Sequence, residues 1–299
     1  MLENLTTEAR NERTMSLDEM GVAELLTVMN EEDAKVAGAV KKEIPKIAEA
    51  VTAITESLRK GGRLIYMGAG TSGRIGLLDA VECPPTFGTS SDQVVGLIAG
   101  GSQAFIKAVE GAEDRAELGA ADLQHLGLTP NDTVVGLAAS GRTPYVIGGL
   151  EYAKRIGATT VSISCNKNAV ISSKADIAIE IENGPEVLTG STRLKAGTSQ
   201  KLVCNMLSTA SMIGLGKVYG NLMVDVQPTN EKLADRAKRI VMEATACDAQ
   251  TAENALSLAE GKPKPAILMI LTGSTYAEAL EKLEQSRGFI GKAAKLALK

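Results

Sequence analysis

The sequence predicts an α/β fold: a doubly wound, mostly parallel five-stranded sheet with N-terminal helices and a small C-terminal helical domain. Three observations carry this. Short aliphatic runs fill the middle of the chain, each followed by a helical segment, and strand–helix alternation implies crossover connections and a parallel sheet. Several runs have continuous apolar cores, as strands covered on both faces do. The two ends of the chain show apolar steps of three and four instead.

From the N-terminus, Val36, Val40, Ile44, Ile47, Val51, Ile54 and Leu58 mark a helical period. Pro45 kinks this helix or starts its second half, and Gly61 and Gly62 stop it. Strands are expected at 63–70, 93–100, 132–140, 159–164 and 176–183. Helices are expected at 72–82, 103–125, 144–156 and 167–174, followed by a long, weakly polar helix over 197–220. Beyond 228 the period is helical again, at Ala237, Ile240, Val241 and Ala244, then at Ala252, Ala255, Leu256 and Ala259, with Gly261 and Pro263 between helices. The expected organisation is a helical segment at 1–60, an α/β domain at 61–220 and a helical domain at 228–299. No repeat of solenoid length is present.

Composition excludes several classes of function. Apolar residues make up 44% of 299, enough for a sizeable core, while aromatics are 3% with no Trp. The core is therefore aliphatic, and stacking platforms for nucleic acid are not expected. Net charge is -4 without a long basic run, again unlike a nucleic-acid binder. No apolar run reaches the ~18 residues of a membrane span. The N-terminal "MLENLTTEAR" lacks the blocks of a signal peptide, so a cytoplasmic location is expected. Cys83, Cys165, Cys204 and Cys247 form no CxxC pair and read as small buried hydrophobes. One histidine, His125, is too few for a two-His metal site and lacks a triad motif. Acid–base chemistry is left to carboxylates, lysine or cysteine.

Three hydroxyl-rich turns point to an anion. "GAGTSGR" follows the first strand and opens a helix, where N–H groups and the helix dipole favour negative charge. Gly68, Gly70 and Gly73 permit close approach, and Thr71 and Ser72 add donors; the spacing is neither a Walker loop nor GxGxxG. "AASGRTP" repeats the arrangement after the third strand with Ser140, Gly141, Arg142 and Thr143, and Pro144 suits a helix start. "TGSTRLKAGTSQK" adds Ser191, Thr192 and Lys195. Each turn could be structural; three in one α/β domain favour a phosphorylated small molecule held at a crevice of the sheet. No residue set for adenine or ribose stands out.

Two acidic stretches remain. Glu82 closes a helix before Cys83-Pro84-Pro85, where the dipole disfavours a carboxylate. Glu110, Glu113 and Asp114 would share a helix face, which is commonly just a solvated face. Cys83 has no histidine partner to make it a nucleophile.

The blocks "GAGTSGRIGLLDAVECPPTFG", "VEGAED", "AASGRTPYVI", "TGSTRLKAGTSQK" and "NLMVDVQPTNEKL" resemble the signature blocks of the N-acetylmuramic acid 6-phosphate etherases, of the sugar isomerase (SIS) fold superfamily. The resemblance runs from "LTTEARN" to the C-terminal helices, with the blocks in family order. It implies cleavage of D-lactate from N-acetylmuramic acid 6-phosphate in bacterial cell-wall recycling, without metal, nucleotide or other cofactor. The family's catalytic glutamates fall on Glu82, the acid at lactate, and Glu113, the base at C2. One must be ionised and the other protonated, so their surroundings should differ. A continuous helix over 72–82 would put Glu82 about 15 Å from Ser72. Either the helix breaks or Glu82 serves a neighbouring subunit, and a homodimer with shared sites is the preferred expectation. Two alternatives are a regulator of the glucokinase regulatory protein type, which binds sugar phosphate without turnover, and a sugar-phosphate isomerase that leaves the ether intact. Neither nucleic acid nor membrane is an expected partner.

Overall fold

The five aliphatic runs form one parallel sheet in a computed structural model that describes residues 5–107, 109–226 and 231–297. Strands β1 (Leu64–Gly68), β2 (Val94–Ile98), β3 (Thr133–Leu137), β4 (Thr159–Ser164) and β5 (Ile177–Glu180) lie in the order β2-β1-β3-β4-β5. Each falls inside the stretch expected for it. β1 pairs with both β2 and β3, with Tyr66 opposite Gly96 on one side and Val135 on the other. The strand order reverses between β1 and β3, and such a switch point opens a crevice beyond the carboxyl ends of the strands.

Three helices precede the sheet: α1 (Val22–Asp33), α2 (Lys35–Lys42) and α3 (Ile44–Arg59). Pro45 begins α3 and does not kink it; in the first turn its missing N–H costs nothing. Helices α4 (Gly70–Phe87), α5 (Gln103–Ile106), α6 (Ala116–His125), α7 (Pro144–Ile156) and α8 (Lys195–Gly214) lie between and after the strands. Side chains alternate across β1 as the pleat requires. Ile65 and Met67 join Val134, Leu123, Val146 and Leu150 in the core against α6 and α7. Tyr66 points to the other face, its hydroxyl donating to Asp79 Oδ2 at 2.9 Å. Asp79 Oδ1 accepts from Asn205 Nδ2 at 2.7 Å and Ser208 Oγ at 3.1 Å, so one buried carboxylate ties β1, α4 and α8 together.

Four helical expectations are corrected; the long helix expected over 197–220 is α8, which ends at Gly214, and Val218–Tyr219 form a strand. The span 103–125 is not one helix: α5 has four residues, a loop follows, and α6 starts at Ala116. Gly111, at φ +73, breaks the period, so Glu110, Glu113 and Asp114 lie on a loop and not on a shared helix face. α4 does not end at 82 but continues through Pro84 and Pro85 to Phe87, and Gly88 N–H closes the last turn on Pro84 O at 2.9 Å. Proline removes a donor but its fixed φ is helical. Glu82 is therefore not a helix-terminal carboxylate, and the dipole does not single it out. The segment 167–174 is only a short 3-10 turn, Val170–Lys174.

The chain forms two compact units. One runs to Val81 and resumes over Asp92–Ser208; the other takes Glu82–Ser91 and continues from Thr209. The second unit holds an antiparallel hairpin, β6 (Val218–Tyr219) with β7 (Leu222–Met223), whose two-residue strands have no periodicity to read. Helices α9 (Glu231–Thr245), α10 (Ala249–Leu258), α11 (Pro263–Thr272), α12 (Tyr276–Gln285) and α13 (Ile290–Ala297) follow, around a core that includes Val241, Ile267 and Leu268. "QPTN" of the last signature block and the final two residues lie outside the described residues. Among the described residues, no helix is long and apolar enough to cross a membrane.

Candidate active site

The first turn is built by glycines with separate tasks. Gly70 takes φ +52 and starts α4. A Cβ on Gly73 would stand 2.7 Å from Gly68 O, and one on Gly68 would stand 2.8 Å from Gly73 N. Only glycine lets strand and helix approach so closely. The first N–H groups of α4, at Gly70, Thr71 and Ser72, have no acceptor within the helix.

The second turn follows β3. Gly141 takes φ +73, and a Cβ there would stand 2.4 Å from Ala169 Cβ. Ser140 Oγ accepts from Arg142 N–H at 3.3 Å. The first donors of α7 are all used: Tyr145 N–H goes to Glu113 O at 3.0 Å, and those of Val146 and Ile147 go to Thr143 O. What this turn offers a ligand is the hydroxyls of Ser140 and Thr143 and the Arg142 guanidinium.

The two turns converge. A cleft of about 380 Å³ opens where β1 and β3 end, lined by Thr71, Ser72, Ser140, Arg142 and Thr143. Thr192 joins them from the third hydroxyl patch, and Glu113 is at the same cleft. The hydroxyls of Thr71 and Thr143 bond to no other described residue. Asp114 and Glu8 also line the cleft, so one arginine faces three carboxylates. An anion held here would be recognised chiefly by hydroxyls and N–H groups of α4, with Arg142 as its cation. Glu8 was missed by sequence reasoning, since a glutamate in an irregular N-terminal stretch carries no signal of its own.

Ser72 lines the cleft but is 7% exposed, and its hydroxyl donates to Gln200 Oε1 at 2.9 Å. Gln200 is fully buried and its Nε2 has no partner among the described residues. Turning that amide would satisfy Ser72 Oγ from Nε2 and release the serine hydrogen toward the cleft.

Of the side chains expected to hold the ligand, Lys195 and Ser191 do not line this cleft. Lys195 is committed elsewhere: its Nζ binds Glu32 Oε2 at 2.7 Å and Asn183 O at 3.2 Å, with 1% and 2% of the two side chains exposed. Burial pushes the Glu32 carboxyl up, but hydrogen bonds from Lys195 and Lys35 outweigh it and hold the pKa at about 2. Glu186 takes the first N–H groups of α8, from Lys195 and Ala196, each at 2.9 Å, so they are not open to a ligand. Burial raises the Glu186 carboxyl, opposed by those two N–H groups. Ser191 is half-buried and outside the cleft lining. Glu82 is exposed on α4 and belongs to the second compact unit. Leu78 (50% exposed) and Val81 (61%) are exposed in the first unit, and Pro85 is exposed in the second. Gly73 and Gly141 shape the turns, as described above.

His125 is exposed at the end of α6. None of the four cysteines is in a disulfide, and three are buried. Among the described residues, no three of His, Cys, Asp and Glu gather to hold a metal ion.

Comparison with known proteins agrees with this architecture. A SIS domain model matches residues 116–210, and a model of the glucokinase regulatory protein N-terminal SIS domain matches residues 46–154. An N-acetylmuramic acid 6-phosphate etherase of Geobacillus sp. (strain WCH70) is 64% identical over 98% of this chain and 99% of its own length. One from Bacillus anthracis is 63% identical over 98% of this chain and 100% of its own. The solved phosphoheptose isomerase of Neisseria gonorrhoeae superposes with a TM-score of 0.50 at 14% identity, covering 64% of this chain and 98% of that one. At that identity the likeness is one of fold.

Proposed function

The chain belongs to the family of N-acetylmuramic acid 6-phosphate etherases, and on that premise we propose that it cleaves the 3-ether of N-acetylmuramic acid 6-phosphate to D-lactate and N-acetylglucosamine 6-phosphate. The observation that carries this reading is the placement of Glu113 beside a hydroxyl cluster at the β1/β3 crevice. Phosphate lies against Thr71, Ser140, Arg142 and Thr143, and the sugar extends toward Glu113.

The chemistry needs two carboxylates. The sugar opens to its aldehyde, which acidifies the hydrogen on C2. Glu113 takes that proton. The electron pair forms an enolate and then expels the oxygen on C3, so the C3–O bond breaks and lactate leaves with a proton from Glu82. Water adds to C3 of the unsaturated aldehyde, a proton returns to C2, and the ring closes. Proton transfers of this kind contribute roughly 10²–10⁴-fold each.

Glu82 acts on the site of a second copy. Leu78, Val81 and Pro85 are exposed apolar residues of the kind that a homodimer covers. The enzyme works as a homodimer in the cytoplasm, where it returns the amino sugar of the cell wall to metabolism.

Isotopes test the reaction course. In heavy-oxygen water the label should enter the sugar at C3 and not the lactate; in deuterated water C2 of the product should carry deuterium. Label in the lactate would mean cleavage on the lactyl side and would end this reading.

A further inference from the structure

A second cleft adjoins the first. It has a volume of about 330 Å³, lies beyond the ends of β1 and β2, and shares Ala69, Gly70 and Glu113 with the hydroxyl-rich cleft. Glu113 thus stands where the two meet. The walls are small and apolar, from Ala99, Ala104 and Val109. The cation is Arg74, and Glu110 is exposed at the rim.

Arg74 is held in place without spending its charge. Nε donates to Phe105 O at 2.9 Å and Nη2 to Ala104 O at 2.9 Å. It makes no ion pair among the described residues. A guanidinium has five N–H donors, so both hydrogens of Nη1 and one of Nη2 remain, and that edge matches a carboxylate. In a substrate whose phosphate lies at the first cleft and whose C2 lies at Glu113, the 3-linked lactyl group projects past Glu113. It consists of one methyl and one carboxylate, which the alanine and valine walls and the arginine complement.

We propose that this second cleft is the lactyl subsite, with Arg74 pairing the lactyl carboxylate and so selecting sugars that carry the ether. This rests on the etherase reading above, and the experiment separates the two. Glu113→Gln protein, which cannot turn over substrate, is titrated with N-acetylmuramic acid 6-phosphate and with N-acetylglucosamine 6-phosphate, with and without Arg74→Gln. The lactyl sugar should bind about 10- to 100-fold more weakly to the Arg74→Gln protein, as loss of a charge-assisted pair requires. The sugar without lactate should bind as before. Arg74→Lys keeps the charge but not the fork and should recover part of the loss. Equal weakening of both sugars, or of neither, overturns the subsite. If the protein with Arg74 intact binds neither sugar, the etherase reading itself fails, and the subsite with it.

Discussion

The main-chain carbonyl of Glu113 accepts the N–H of Tyr145 at 3.0 Å. This bond joins the acidic loop after β2 to the start of α7, beside the second hydroxyl turn. Tyr145 is itself fully buried, and its hydroxyl donates to Asp122 of α6 at 2.6 Å. Burial and the neighbouring carboxylate both raise the phenol, which stays protonated as a donor. A loop residue is thereby fixed to two packed helices by its backbone, leaving its side chain at the cleft.

Because the anchor is main-chain, Glu113→Gln should leave the loop and the melting temperature unchanged. Lactate release should fall about 10²–10⁴-fold, the range for loss of a general base. A large drop in thermal stability would instead make Glu113 a structural residue.

The hydroxyls should not contribute equally. Thr143→Val removes a donor engaged with no other described residue and should weaken binding of N-acetylglucosamine 6-phosphate about 10- to 100-fold. Ser72→Ala removes a hydroxyl already bonded to Gln200 and should cost less affinity. Calorimetric titration of both variants checks the order; a larger loss at Ser72 would mean that the Gln200 amide turns on binding.

The Glu32–Lys195 pair should set acid stability. Glu32→Gln leaves a buried ammonium short of its counter-charge and should cost about 3 kcal/mol at neutral pH. The folded carboxyl titrates at about 2, below its ordinary 4.5, so its contribution is full above 4.5 and fades as pH falls through 2. Denaturant melts across pH should show the wild-type advantage shrinking over that window. An advantage that persists below it would assign the stability to another group.

Glu82→Gln and Glu113→Gln proteins should each keep at most about a hundredth of wild-type activity, yet co-expressed subunits should recover about a quarter of it. In a mixed dimer, one of two shared sites keeps both glutamates. No recovery would mean that both glutamates of a site come from one subunit.

Much of this was legible in the sequence. Continuous aliphatic runs placed all five strands, and the glycine–hydroxyl pattern singled out the two turns that meet at the cleft. The misses have physical causes. Lys195 stands among hydroxyls before a helix and reads as a ligand, but its partner Glu32 is 163 positions away, beyond any local pattern. The loop carrying Glu113 was hidden in a helical period that Gly111 breaks with one left-handed residue. α4 outran its expected end because Pro84 and Pro85 read as a stop, as interior prolines ordinarily are, whereas here they lie within its last turn.

Release of D-lactate from N-acetylmuramic acid 6-phosphate tests etherase chemistry by Glu113 and Glu82. With chelator present and no cofactor added, the purified protein should release lactate, and Glu82→Ala and Glu113→Gln should each lower that release about 10²–10⁴-fold. Tight binding of the sugar phosphate with no lactate released would contradict the account and leave a binding protein in place of an enzyme.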